Sequence, residues 1–236
     1  MHHIAAARMD TVGMPPTIRT NQPRRNLHEM IVPIMRRFRR ARMVEFAATV
    51  HLTPRTRVLD VGGTPFNWEL CPVRPRVTLL NIELPDYEKP PDMTYLQGDG
   101  CALDFDDGAF DVVYSNSVIE HVGSLERQRQ FAAECARVGR SYYVQTPNRW
   151  FPVEPHLVTP FFHFLPRGWQ SPLVRNFSLW GLVNRPDRSA QAWYEDVRLM
   201  TKREVQALFP DARIVCERVL GLAKSYTAVR VGTIAH

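Results

Sequence analysis

The stretch Arg57-Val58-Leu59-Asp60-Val61-Gly62-Gly63, running on into Thr64-Pro65-Phe66-Asn67-Trp68, decides how this chain folds. Val58, Leu59 and Val61 suit a strand covered on both faces, as parallel strands are. Asp60 falls at the carboxyl end of that strand, where open α/β sheets place their ligand crevice. Gly62 and Gly63 then open a turn in which backbone can approach a bound molecule with no side chain in the way.

Downstream, Val77 to Pro85 reads as a second strand ending on Glu83, which lies 23 residues after Asp60. One strand, turn, helix and strand use about that much chain, and an acid there can accept both hydroxyls of a ribose. Met93 to Gly100 reads as a third strand ending in Asp99-Gly100, and Phe110 to Asn116 as a fourth. Between Ser124, a helix-capping residue, and Gly139, a stop signal, the pattern is helical. Ser141 to Gln145 makes a fifth strand. Strands alternating with helical stretches predict a parallel, doubly wound sheet.

The closing part of the chain changes the pattern. Thr201 and Glu204 have the spacing of a capping box at a helix start. Ala212 to Leu220 and Ser225 to Val231 are apolar runs with a short connection, which a parallel return would not allow, so they predict an antiparallel hairpin. Before them, residues 147–200 form an expected lid or substrate insertion, far longer than an ordinary α/β loop. It is rich in aromatics: Trp150, Phe151, Phe161, Phe162, Phe164, Trp169, Trp180, Trp193 and Tyr194.

Residues 1–50 read as a cover, with 51–236 as the main domain. Pro15, Pro16 and Pro23 predict a loosely attached arm up to about residue 25. From Leu27 apolar residues recur at helical spacing, and Pro33 predicts two helical pieces, the second from Pro33 to Val50. Its opposite face carries Arg36, Arg37, Arg39, Arg40 and Arg42, within a chain of formal net charge +6. A solvated face is the plain reading. An anionic substrate, a phosphate or an acidic membrane surface is the sharper one, so peripheral membrane contact through this basic helix is an expectation.

Composition excludes other classes. A hydrophobic content of 44% with 23% charged residues argues against wholesale disorder. The four cysteines, Cys71, Cys101, Cys135 and Cys216, form no CxxC pair, which argues against a zinc module and suits a reducing cytoplasm. The first residues lack the long apolar core of a signal peptide, and no run approaches the roughly 18 apolar residues of a membrane span.

Together these residues resemble the class I S-adenosylmethionine-dependent methyltransferases, of the broad small-molecule type, over about Val50 to Val231. Val58 to Gly63 resembles that family's first motif, Glu83 its ribose-binding acid, and Gln97 to Val122 its usual run through the third and fourth strands. The resemblance implies a Rossmann-like α/β fold with a seven-stranded sheet and a closing antiparallel hairpin. It implies S-adenosylmethionine as cofactor and S-adenosylhomocysteine as product. Asp60, Gly62 and Gly63 would then meet the methionine portion, Asp99, Gly100 and Cys101 the adenine, and Asn116 the reactive end. The sequence departs from the family pattern at Thr64 and Phe66, where further glycines are usual, so a differently built turn is expected.

A hydroxyl acceptor would require a base, and His121, Glu154 and His156 are the candidates. In the ubiquinone-pathway O-methyltransferases a Glu-x-x-Glu-His run at this place is associated with a metal. Here the run is Ser117-Val118-Ile119-Glu120-His121, without the first carboxylate, and no metal is expected. The expected partner is a small-molecule acceptor, with aromatic, lipid-linked and sugar-containing compounds all compatible with the aromatic insertion. Nucleic acid is disfavoured, because the Asn-Pro-Pro-Tyr type of run is missing. An RNA methyltransferase and a non-catalytic cofactor-binding or membrane-surface protein stand as alternatives. A dinucleotide oxidoreductase would need a GxGxxG spacing that residues 62–67 do not supply. Oligomeric state is not readable.

Overall fold

The structure is a computed structural model that describes residues 27–86, 89–154, 159–160, 165 and 197–232. The expected N-terminal arm and most of the aromatic insertion therefore lie outside the described residues. Helix α1 (Leu27–Thr49) leads into strand β1 (Arg57–Val61), helix α2 (Pro65–Glu69), β2 (Arg76–Asn81), β3 (Met93–Gln97) and β4 (Phe110–Asn116). A 3₁₀ turn (Ile119–His121), helix α3 (Leu125–Val138) and β5 (Gly139–Pro147) follow. The short strands β6 (Val153–Glu154) and β7 (Thr159–Pro160) pair with each other. Helix α4 (Lys202–Leu208), β8 (Arg213–Val219) and β9 (Leu222–Arg230) complete the described chain.

The main sheet has seven strands in the order β3-β2-β1-β4-β5-β9-β8. Its first five pair in parallel, whereas β9 runs antiparallel to both β5 and β8. The order reverses at β1, between β2 and β4, which is the switch point where such sheets open a crevice. β1 is flanked there by β2 and β4, with Asp60 opposite Leu79 on one side and Tyr114 on the other.

Both faces of the sheet are covered, as its apolar strands require. On one side Leu59, Val61, Val113 and Val144 pack against Phe131, Cys135 and Val138 of α3 and Phe209 just past α4. On the other, Val58, Leu79, Val112, Tyr114 and Tyr143 meet Met43, Phe46, Ala47 and Val50 of α1 and Trp68 of α2. Side chains buried this fully are each worth about 1.5–3 kcal/mol. The apolar stripe of α1 over residues 43–50 is thus committed to the core and is not available to a membrane.

Several boundaries differ from the sequence reading; β3 stops at Gln97 and β5 spans Gly139–Pro147, for example. α1 is one helix rather than two pieces and runs through Pro33 without a break. β2 ends at Asn81, which leaves Glu83 two residues beyond the strand. Glu120 and His121 belong to a separate 3₁₀ turn and not to the start of α3, whose cap is Ser124. β9 begins at Leu222 rather than Ser225, because Leu220 and Gly221, both with positive φ, make the whole hairpin turn.

Candidate active site

The carboxyl ends of β1, β2, β3 and β4 lie side by side, and their turns build the site. Gly62 has φ +73°, a left-handed conformation that suits glycine, and its N–H donates to the Leu80 carbonyl at 2.7 Å. A Cβ there would stand 2.6 Å from Val118 Cγ2, so the turn lies hard against the segment after β4. A Cβ on Gly63 would fall 1.8 Å from Asp60 Oδ2. Asn81 donates its side-chain amide to the Gly63 carbonyl at 3.1 Å. Thr64 is extended, with φ −132°, and Pro65 takes the first turn of α2, where its missing N–H costs nothing. The chain thus leaves the turn without the left-handed conformation that Thr64 would resist.

Asp60 is fully buried beneath this turn and accepts a hydrogen bond from Trp68 Nε1 at 2.8 Å. Burial raises its pKa from 3.8 to about 7, against the smaller opposite pull of the Trp68 bond. Its other oxygen, Oδ1, is buried with no hydrogen-bond partner. A carboxylate so placed favours a cationic donor, since an unmatched buried acceptor costs about 1–3 kcal/mol.

The other expected cofactor residues take these positions. Glu83 is exposed in the loop after β2. Asp99 lies two residues past β3, not at its end, and is pinned from two sides: Arg127 Nη2 reaches both its oxygens, at 3.0 and 2.8 Å, and the Cys101 N–H donates to Oδ1 at 2.9 Å. Arg127 and these bonds hold the Asp99 carboxyl below the usual range despite an opposing burial effect, and leave it acceptor capacity to spare. Gly100 is buried, and a Cβ there would press on Val61 and Phe131 at 2.7 and 2.8 Å, so core packing alone demands its small size. The Cys101 N–H, expected to face the adenine, is already taken by Asp99. Burial pushes the Cys101 thiol up to about 11.

At the end of β4, Asn116 Oδ1 accepts from Arg42 Nη1 of α1. The same guanidinium pairs with Glu217 Oε2 of β8 at 2.7 Å. Arg39, one turn earlier on α1, donates to Asn67 Oδ1 at 3.4 Å and stands 5.2 Å over the Phe66 ring. Burial, followed by repulsion from Arg42, lowers the Arg39 pKa. Ser117 adopts φ +59°, an uncommon choice for a side-chain-bearing residue, and its hydroxyl is 3.0 Å from Gln145 Oε1. His121 and Glu120 are buried just beyond, with Thr146 Oγ1 donating to Glu120 Oε2 at 3.0 Å. Glu154 contributes backbone to β6, its side chain lies outside the described residues, and His156 lies outside them entirely. Among the described residues no cluster of three or more His, Cys, Asp or Glu could hold a metal.

Sequence reading missed Asn81, Trp68, Arg42 and Ser117. Asn81 could have been found as the last residue of an apolar run, the place that strand-end logic marks. Arg42 could not, because an arginine on an amphipathic helix reads as solvated and its partners are 74 and 175 residues away.

Residues 74–141 match the family model described as "Methyltransferase domain". No curated protein matches the sequence. Solved structures of the same fold are numerous. A protein described as a possible exported protein of Bordetella parapertussis aligns with TM-score 0.54 at 14% identity, over 92% of this chain and 77% of its own. One from Rhodobacter sphaeroides, provisionally named a zinc-dependent alcohol dehydrogenase, gives TM-score 0.52 at 13% identity, over 80% and 88%. The magnesium protoporphyrin IX methyltransferase of Synechocystis, solved with bound S-adenosylhomocysteine, gives 0.50 at 11% identity, over 89% and 90%. At such identities each likeness speaks for the fold alone. The methyltransferase-domain match thus runs from just before β2 into β5, inside a seven-stranded sheet that closes with an antiparallel hairpin.

Proposed function

We propose that the chain methylates a hydroxyl group of a small-molecule acceptor. One observation supports this placement: the Gly62-Gly63 turn, Glu83, Asp99 and Asn116 lie at or just past the carboxyl ends of four neighbouring strands. The residues present fit the family's cofactor. Side chains at 62 and 63 would fill the turn, and the buried, unmatched Asp60 Oδ1 beneath it suits a molecule bearing a cationic amino group. S-adenosylmethionine, when bound, supplies a methyl group already activated on sulfur.

What remains for the chain is to hold, orient and deprotonate. Asp60, Gly62 and Gly63 would hold the methionine portion, and Glu83 would accept both ribose hydroxyls as a carboxylate. Asp99, kept ionised by Arg127, would accept from the adenine amine, with Gly100 and Cys101 forming the floor. Asn116, oriented by Arg42, would line the reactive end. The acceptor must approach to about 3–3.5 Å and in line. His121, Glu154 and His156 are the proposed bases for its proton.

A transfer assay with labelled methyl groups tests this, run with hydroxyl, amine and RNA acceptors in parallel. Label on a hydroxyl compound, with His121→Ala or His156→Ala lowering kcat more than cofactor affinity, is the expected result. Label found only on amines or RNA would contradict it.

A further inference from the structure

Beyond the methyl-donor site, the β8–β9 turn poses a physical problem. Val219 pairs with Leu222, so Leu220 and Gly221 form a two-residue hairpin turn with φ +50° and +80°. Turns of this kind favour Asn-Gly, because the first position must be left-handed and a branched aliphatic side chain resists it. Leu220 meets that demand badly, and it is also 97% exposed. Backbone conformation and solvation both argue against leucine here unless the tip is covered by something apolar.

The surroundings say what covers it. β9 runs antiparallel to β5, with Ser225 opposite Pro147, so the tip projects from the same edge of the sheet as the glycine turn. Asn148, just past β5, clamps the neck of the hairpin: its N–H donates to the Lys224 carbonyl and its side-chain amide to the Ala223 carbonyl. Arg149 and Trp150, both exposed, follow Asn148 directly, and exposed Leu222 precedes Ala223. Phe38 of α1, also exposed, lies 5.0 Å below Lys224 Nζ. Exposed cations stand at the tip and on the segments near it: Arg218, which bonds the turn, and Arg149, next to Asn148, while α1 carries exposed Arg37, Arg40 and Arg36, the last lying 5.3 Å over Phe66. Of the carboxylates here, Glu217 is matched by Arg42 and Lys224, and Glu45 is an exposed acid on α1. Arg218 spends one N–H on the Gly221 carbonyl at 2.9 Å, which braces the turn while keeping its charge.

We propose that the β8–β9 tip, centred on Leu220 and Leu222, docks this protein onto an anionic lipid surface. Leucines at a protruding turn enter the headgroup boundary, and the surrounding arginines meet the lipid phosphates. This departs from a membrane helix in α1, whose apolar stripe over residues 43–50 is buried. The active-site edge then faces the bilayer. The inference stands apart from the choice of acceptor, since lipid binding is read without turnover.

Co-sedimentation of the full chain with phosphatidylglycerol vesicles and with phosphatidylcholine vesicles tests it, beside thermal unfolding of each variant. The wild type binds the anionic vesicles, less so as salt rises, and hardly binds the neutral ones. Leu220→Asn suits the turn, so its unfolding temperature holds or rises, while its vesicle partition falls by about five- to tenfold. Leu222→Thr keeps a strand-forming residue and falls similarly. A wild type that ignores anionic vesicles, or a well-folded Leu220→Asn that binds them as well as wild type, would overturn the proposal. Formation of a dimer that Leu220→Asn abolishes, with no vesicle binding, would also overturn it, in favour of a second copy on the tip.

Discussion

Trp68 Nε1 donates a hydrogen bond to Asp60 Oδ2 at 2.8 Å, deep beneath the glycine turn. The bond joins the end of β1 to α2 and gives the buried carboxyl one partner. Trp68→Phe keeps most of the packing and removes the donor. It is expected to cost about 1–3 kcal/mol, the cost of leaving a buried acceptor unmatched, and to lower the urea midpoint at neutral pH.

The same carboxyl gives a pH dependence with a definite sign. Its pKa is raised by burial from 3.8 to about 7. The folded state therefore binds more protons than the unfolded state between those values, and stability falls as pH rises through that window. Above it the penalty is constant, and below it the penalty is absent. Asp60→Asn, which cannot ionise, should narrow the difference between urea midpoints at about pH 5 and about pH 8. An unchanged difference would mean that Asp60 does not titrate there.

Gly63 is constrained by Asp60 rather than by its own φ. An added Cβ would sit 1.8 Å from the carboxylate, which is held from the other side by Trp68. Gly63→Ala is therefore expected to destabilise by about 1–3 kcal/mol, as overpacking does, and to weaken cofactor binding with it. Thermal unfolding and a cofactor titration on one preparation check both.

Arg42 links α1 to Asn116 and Glu217. Lysine could keep the Glu217 charge pair but lacks the planar fork that reaches both partners. Arg42→Lys should thus retain most stability yet lose turnover, whereas Arg42→Met should lose both, the stability by about 3–5 kcal/mol if Glu217 is left short of charge. Lys224 also contacts Glu217, at 3.1 Å, which places the expected cost at the lower end. Equal turnover in Arg42→Lys and wild type would separate Arg42 from the chemistry.

Ser117 sets two effects against each other. Glycine would relieve its left-handed backbone, a gain of about 1–2 kcal/mol, yet lose about 0.4–1 kcal/mol to a freer unfolded chain and about 0.5–1.5 kcal/mol with the hydroxyl contact to Gln145. Alanine loses the contact and keeps the strain. Ser117→Gly should be close to wild type in urea denaturation, and Ser117→Ala clearly weaker.

Features set by nearby residues were readable in advance. β4 runs over Phe110 to Asn116 as its unbroken apolar pattern predicts, and Ser124 and Thr201 cap their helices because a cap needs only the next three residues. The closing hairpin followed from the shortness of its connection. What escaped the sequence depended on distant partners. The inward turn of Arg42, the hold of Asn81 on Gly63 and the burial of Asp60 arise only once β1 is laid between β2 and β4. Pro33 misled because a local helix-breaking signal takes no account of the packing of α1 over residues 43–50. Leu220 escaped notice because a leucine in a turn breaks the local rule on which sequence reading relies.

The central claim is that successive strand ends on this sheet bind a methyl donor. Isothermal titration of the full chain with S-adenosylhomocysteine tests it most directly, with Glu83→Ala alongside. Binding by the wild type, weakened about tenfold or more in Glu83→Ala by the loss of a charge-assisted acceptor, is the predicted result. No binding by the folded wild type would contradict the methyl-donor site itself, and equal affinity in Glu83→Ala would contradict the ribose assignment.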